Sequence, residues 1–301
     1  MKRILVTGCH GLLGQKLVEV LNSDFCELHG LDVHKDNLFP GRRKYTFHQI
    51  DLTDRAKVLD LLQEIRPHAI VNTAAMTHVD ACEIERNRCW KVNCAAVETL
   101  VDSARRIGTH LIQVSTDYVF DGQAGPYSEL DRPNPISFYG KSKHAAENAV
   151  LGGGIDGAIV RTVVLYGHGR DLKPSFVTWL VDMVRNRQDV KIVTDQISNT
   201  TIVDDIAEAI RRIIVKKRTG IYHAAGKEIL SRFEFAMKVA KAYGLNDVYI
   251  QPTLTQLLGQ TAQRPLQGGL VIDSTERDLE MQFRTVEEQL MLFRKQEAML
   301  N

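Results

Sequence analysis

Residues 3–14 read RILVTGCHGLLG: a short apolar run breaks into glycines and resumes as an amphipathic stretch reaching about Asn22. Gly8, Gly11 and Gly14 fall at G-x-x-G-x-x-G spacing, where a strand turns into a helix. Glycines there permit the tight turn, let backbone N–H groups approach a pyrophosphate at the positive helix end, and let helix and strand pack closely. The spacing alone is weak, but its place after RILVT and before an amphipathic helix reads as a dinucleotide-binding loop. Leu12 and Leu13 complete the loop. His10 sits inside it, where its ring either touches phosphate or is an ordinary loop side chain.

Outward from this loop, strand-like and helical runs alternate. CELHGLDV and YTFHQI are followed by a helix over about 54–65, then HAIVN, a long helix over about 88–107, and HLIQVS. This order, with strands that are apolar almost throughout, predicts an α/β fold: a Rossmann-type, doubly wound parallel sheet with helices on both faces. Function is then expected at the carboxyl ends of the strands. SFYGKSKHAAENAVL reads as a helix and GAIVRTVVLYG as one further buried strand. Later segments loosen into loops, the amphipathic PSFVTWLVDMVRN, and a charged C-terminal helix around TVEEQLMLFRKQEAML, whereas TTIVDDIAEAIRRII and GIYHAAG return a helix and a strand to the sheet. The expected division is a dinucleotide-binding domain over 1–166 plus about 200–225, and a smaller α/β substrate lobe over about 167–199 plus 226–301. The cleft between them is the natural substrate site.

Composition narrows the partners. With 38 basic residues against 37 acidic ones in 301, no field favours nucleic acid or an anionic membrane, so a small, specific ligand is expected. The first apolar run stops at Gly8, too short for a signal peptide, and no stretch approaches membrane-spanning length, which points to the cytoplasm. The five cysteines form no CxxC and no zinc-ligand spacing with histidine, so free thiols and no metal site are expected. Asp204-Asp205, before IAEAI, reads as a helix start.

Strand ends supply the candidate site. Asp32 closes the second strand, 18 residues beyond Gly14, where a carboxylate accepts hydrogen bonds from ribose hydroxyls and favours NAD. His34 and Lys35, with Arg42 and Arg43, can instead receive a 2′-phosphate, so NADH and NADPH both stay open. Asp51 and Leu52 follow the third strand and are placed to meet adenine. Ala74 and Ala75, within NTAAMT, let a cofactor run close to the backbone. Thr116, in STDYVFDG, puts a hydroxyl at the end of the HLIQV strand. Tyr139 and Lys143 lie one helical turn apart in SFYGKSK. These three polar groups can converge on one reacting oxygen. A phenol near its ordinary pKa of about 10 shuttles protons poorly at neutral pH, and a nearby ammonium is expected to lower it.

TGCHGLLG, NTAAMT, STDYVFDG, YGKSK and the RTVVLYG strand together resemble the extended short-chain dehydrogenase/reductases, over nearly the whole chain. Within that family the likeness is greatest to the dTDP-4-dehydrorhamnose reductases, through LDVHK, VNTAAMTHVDACE, DRPNPISFYGKSK, DQISNTT and Arg264-Pro265. The resemblance implies an NAD(P)H-dependent reductase of a 4-keto-6-deoxy sugar on a nucleoside diphosphate. It makes Thr116, Tyr139 and Lys143 the catalytic trio, with Lys143 also holding the nicotinamide ribose, and Asn93 a support of the backbone beside the cofactor. It makes Thr77, Asp117, Tyr118 and Val119 parts of the sugar pocket, with Asp80 a weaker candidate or a helix cap. Family members are commonly dimers, which implies a homodimer.

Departures from the pattern concentrate where substrate would bind. Val164 stands where these reductases usually carry Trp, and Leu266-Gln267-Gly268-Gly269 replaces an Asn-Ser-Arg-like run. The diphosphate would then fall to Arg264, Lys173 or Arg170. Asp117-Tyr118 after Thr116 argues against dehydratase chemistry, which goes with Asp-Glu there. Two alternatives stay open: a nucleotide-sugar epimerase, and an NAD(P)-binding regulatory subunit similar to the non-catalytic partner of methionine adenosyltransferase.

Overall fold

In β1 (Lys2–Thr7) successive side chains go to opposite faces, as strand geometry requires. Ile4 and Val6 enter one apolar core, and Leu5 enters another. The computed structural model describes residues 2–21 and 26–300. β1 pairs with β2 (Cys26–Asp32) and β4 (Ala69–Asn72), and β3 (Tyr45–Gln49) extends one edge. β5 (His110–Thr116), β6 (Gly157–Thr162) and, later in the chain, Gly220–His223 extend the other. All seven are parallel, in the order Gly220–His223, β6, β5, β4, β1, β2, β3.

Helices cover both faces. On one lies α1 (Leu12–Leu21), packed against the later helix Val203–Lys216 through Leu13, Leu17 and Ile210. Burying a Leu such as Leu17 contributes about 1.5–3 kcal/mol. The helix end read at Asn22 lies outside the described residues. On the other face lie α2 (Arg55–Ile65), capped by the Asp54 carboxylate, and a helical run from 79 to 107. That run is not one long helix. It consists of α3 (Val79–Ile84), α4 (Arg86–Trp90), a π-helical turn (Lys91–Ala95) and α5 (Ala96–Ile107). The π turn aims Asn93 inward, as such turns at functional positions do. α6 (Phe138–Leu151) completes this layer.

GAIVRTVVLYG is likewise not a single strand. β6 ends at Thr162, Val164 takes φ 40°, and pairing resumes only at β7 (Leu165–Tyr166). The left-handed region is unfavourable for a β-branched residue, so this turn is held by its surroundings, including the Val164 carbonyl accepting from Thr201 N.

A third apolar core gathers Tyr166, Val181, Ile192, Phe235, Val239 and Phe293. The later elements are α7 (Phe176–Arg185), β8 (Val190–Val193), β9 (Ile197–Asn199), β10 (Thr201–Ile202), α8 (Val203–Lys216), β11 (Gly220–His223), β12 (Ile229–Ser231), α9 (Arg232–Tyr243), β13 (Ile250–Thr253), α10 (Asp273–Leu279) and α11 (Val286–Leu300), and α8, β11 and α10 pack into the core of the central sheet instead. β7 pairs with β10, β8 with β13, and β9 antiparallel with β12. Asp204 and Asp205 open α8 as read. All five cysteines are free thiols, and no described helix is long and apolar enough to cross a membrane.

Candidate active site

The glycine loop lies between two cavities that share Gly11, Thr73 and Ala75 and so form one trough along the sheet's carboxyl edge. A Cβ on Gly14 would stand 2.1 Å from the Gly8 carbonyl oxygen, so only glycine lets α1 approach its own loop this closely. Gly11, Leu12, Leu13 and Gly14 line the larger cavity, of about 520 Å³. Gly8, Asp32, Asp51, Leu52, Ala74 and Ala75 line the smaller, of about 460 Å³. An extended dinucleotide fits this trough: a helix N-terminus at its middle for the pyrophosphate, a carboxylate at one end, polar groups at the other.

Asp32 is partly committed already. Its Oδ2 accepts from His10 N at 3.1 Å, and its Oδ1 from Val33 N at 2.8 Å and His34 N at 3.3 Å. Asp51 Oδ1 accepts from Thr53 N and Thr53 Oγ1. Arg88 and Lys91, not singled out from sequence, also line this end. His10 does not reach the trough with its ring, which stacks on Phe47 at 4.7 Å. Only its backbone serves the site, because an apolar face beside β3 is available to the imidazole.

At the other end, Thr116, Asp117, Tyr118, Tyr139 and Lys143 line the same cavity as Thr77 and Val164. Ser137 caps α6, its Oγ accepting from Gly140 N at 3.1 Å, which fixes the helix start at Phe138, one residue before Tyr139. Gly140 lets α6 come close, since a Cβ there would meet the Tyr118 carbonyl oxygen at 2.2 Å. Tyr118 stands edge-on to Tyr139, ring centroids 5.8 Å apart. Behind Tyr139 lie the buried thiols of Cys82 and Cys89. Asn93 locks this wall: its Oδ1 accepts from Met76 N at 2.8 Å, and its Nδ2 donates to Met76 O at 3.1 Å and Ser142 Oγ at 3.0 Å. It braces the backbone and lines neither cavity.

Electrostatics here are set by burial. Burial pushes the Tyr139 phenol well above its ordinary value, with the Thr116 hydroxyl opposing and Asp117 adding to the rise. The expected lowering by Lys143 is therefore overturned: burial disfavours the phenolate, and the groups acting on it do not include Lys143. Burial also lowers Lys143 to about 8, partly countered by Glu147. Its Nζ donates to the Val114 carbonyl at 2.6 Å. Burial raises Asp117 to about 6, and its Oδ1 accepts from the Thr116 hydroxyl at 3.1 Å.

Two residues read as substrate contacts stand elsewhere. Val119 is fully buried in the apolar core, because a 3-10 turn with three residues per turn sends the third side chain away from the face that Asp117 and Tyr118 give to the cavity. Arg264 lines neither cavity: its Nη1 and Nη2 donate to the Asp80 carboxylate at 3.0 and 2.7 Å. This fork holds Asp80 down to about 2. Asp80 is not the cap of α3, a place taken by His78. Arg170 gives its Nη1 to Leu38 O, and neither it nor Lys173 lines either cavity. Arg232, Gln196, Ile197 and Ser198 do line the substrate end, and of these only DQISNTT had been marked in the sequence.

A parallel sheet with a glycine-loop trough, and a Thr, Tyr and Lys at one end of it, define an extended short-chain dehydrogenase/reductase. The chain belongs to the RmlD substrate binding domain family, whose model matches residues 1–299. It is 33% identical over 271 residues to methionine adenosyltransferase 2 subunit beta of Rattus norvegicus, covering 88% of this chain and 78% of the relative. It is also 33% identical over 267 residues to the spore coat polysaccharide biosynthesis protein SpsK of Bacillus subtilis, covering 88% and 87%. Among solved structures, the dTDP-4-dehydrorhamnose reductase of Bacillus anthracis in complex with NADP superposes with a TM-score of 0.84 at 30% identity, covering 98% of this chain and 100% of that one.

Proposed function

We propose that the chain is an NAD(P)H-dependent reductase of the keto group of a nucleoside-diphosphate 4-keto-6-deoxy sugar, converting dTDP-4-dehydrorhamnose to dTDP-rhamnose. The observation that carries this reading is the shared cavity, in which Thr116, Tyr139 and Lys143 meet the glycine loop. The likeness to dTDP-4-dehydrorhamnose reductases supports the substrate.

A bound reduced nicotinamide supplies hydride to the ketone carbon. Gly11 to Gly14 hold its pyrophosphate, Asp32 the far ribose, and Lys143 the near one. Tyr139 gives its proton to the ketone oxygen as charge develops there. A buried phenol stays protonated at neutral pH, so the proton is in place when the alkoxide forms. Thr116 Oγ1 turns from Asp117 to hydrogen-bond the same oxygen, and the Lys143 ammonium stabilises the phenolate left behind. Because kcat/KM reports groups of the free enzyme, it is expected to fall as pH rises through about 8, where Lys143 loses its charge. A flat profile to pH 9.5 (about 1.5 units beyond) removes that role.

The direct test is loss of nicotinamide absorbance when NADH or NADPH meets dTDP-4-keto-6-deoxy-L-mannose. No turnover with cofactor binding intact overturns the reading. The likeness to methionine adenosyltransferase 2 subunit beta favours a second one, an NAD(P)-binding regulatory subunit. It predicts cofactor binding without turnover and co-purification with a partner. The division into a 1–166 plus 200–225 domain and a second lobe, the cytoplasmic location and the homodimer belong to the same proposal. The separate apolar core of the later elements supports the division. Sedimentation as a monomer removes the homodimer.

A further inference from the structure

A nucleoside diphosphate carries its charge on the diphosphate, and its binding site needs a cation with free donors. Arg264 is held by Asp80 and also gives its Nη1 to Ala262 O. Arg170 is held by Leu38 O and, through its main chain, by Gln15, and neither it nor Lys173 lines the cavity. At the substrate end of the 520 Å³ cavity stands Arg232, beside Gln196, Ser198 and Pro265 and near Asp117 and Tyr118.

Its position is fixed by the local fold. Arg232 is the first residue of α9, and Ser231 and Glu234 form a capping box across it: Ser231 Oγ accepts from Glu234 N at 3.1 Å, and Glu234 Oε2 accepts from Ser231 N at 2.7 Å. Arg232 N donates to Gln196 O at 3.1 Å, tying α9 to the cavity wall. Among the described residues, no side-chain or backbone oxygen accepts a hydrogen bond from the Arg232 guanidinium, and no carboxylate ion-pairs with it. Asp117, whose charge acts on Arg232 through space, accepts the Thr116 hydroxyl instead. Arg232 is half-buried, Tyr118 and Asp117 favour its charge through space, and its guanidinium donors stay open beside the cavity, where a planar fork matches phosphate oxygens.

We propose that Arg232 holds the diphosphate of the substrate, taking the place that Arg264 has given to Asp80. The assignment rests on the nucleotide-sugar reading above. It makes Arg232 a specificity residue: a free keto sugar, lacking the diphosphate, binds weakly.

The test uses dTDP, which needs no turnover, titrated calorimetrically into wild type, Arg232→Lys and Arg232→Gln, each saturated with NADP⁺. The expected result is binding by wild type, a loss of about ten- to hundredfold in Arg232→Gln, and a smaller loss in Arg232→Lys, which keeps the charge without the fork. NADP⁺ affinity and thermal midpoint stay unchanged in both. Arg232→Gln binding dTDP as tightly as wild type overturns this assignment alone. Wild type binding NADP⁺ but neither dTDP nor UDP overturns the nucleotide-sugar reading, and the Arg232 assignment with it.

Discussion

Tyr139→Phe is expected to lower kcat for keto-sugar reduction by about two to four orders of magnitude, the usual effect of removing a positioned proton donor. The substitution is close to a pure deletion of the hydroxyl. The ring is 8% exposed, packed among Met76, Cys82, Cys89 and Phe138 and edge-on to Tyr118, and phenylalanine keeps all of those contacts. Thr116 is not orphaned by it, because its hydroxyl still donates to Asp117 and accepts from Tyr118 N. Stability and NADP⁺ binding should therefore hold while turnover is lost. Rapid-mixing measurement of nicotinamide oxidation, beside a thermal melt, separates the two. A Phe variant keeping more than about a tenth of the wild-type kcat would falsify the assignment of Tyr139 as donor, since the alternative source of the proton would then have to be water.

The glycine loop was legible because three local signals coincide: an apolar strand, glycines at fixed offsets, and an amphipathic helix. Tyr139 and Lys143 were legible as a pair because helical periodicity is local too. What escaped depends on contacts far apart in sequence. Arg264 finds Asp80 across 184 residues, which no periodicity reports, and so Arg232 rather than Arg264 faces the cavity. The break at Val164 escaped because it falls within a run rich in β-branched residues, Thr162, Val163 and Val164, and only the tertiary frame forces φ 40° on one of them. The Tyr139 phenol was misjudged for a related reason. A neighbouring ammonium can be read from spacing, whereas the depth of burial that raises the phenol cannot.

Glu147→Ala is expected to destabilise the fold by about 3–5 kcal/mol, the range for removing one partner of a buried ion pair. Glu147 lies on α6 one turn beyond Lys143, and both it and Arg161 of β6 are almost wholly out of water. Its Oε1 and Oε2 accept from Arg161 Nε and Nη2 at 2.9 and 2.8 Å, a bidentate fork. Without it a buried guanidinium keeps, among the described residues, only the Phe120 ring, 5.1 Å away, and His223 Nε2 at 3.3 Å. His223 cannot replace the lost charge: burial holds it down to about 4, so it is neutral. Burial by itself raises the Glu147 carboxyl, but Arg161 and His144 outweigh it and bring the pKa down to about 2. A depressed carboxylate contributes stability that is complete above its unfolded value near 4.5 and is lost as pH falls toward 2. Wild type should thus weaken through that window, and the variant should lack that part of the acid slope. Pairing the change with Arg161→Met should restore much of the loss, because no unpaired charge is then left inside. The same carboxylate raises Lys143, so its removal should also move the alkaline limb of kcat/KM below pH 8. If Glu147→Ala melts within about 1 kcal/mol of wild type, Arg161 has found another anion and the pair is not what joins α6 to β6. If it melts early but the alkaline limb stays in place, Glu147 supports the fold without tuning Lys143.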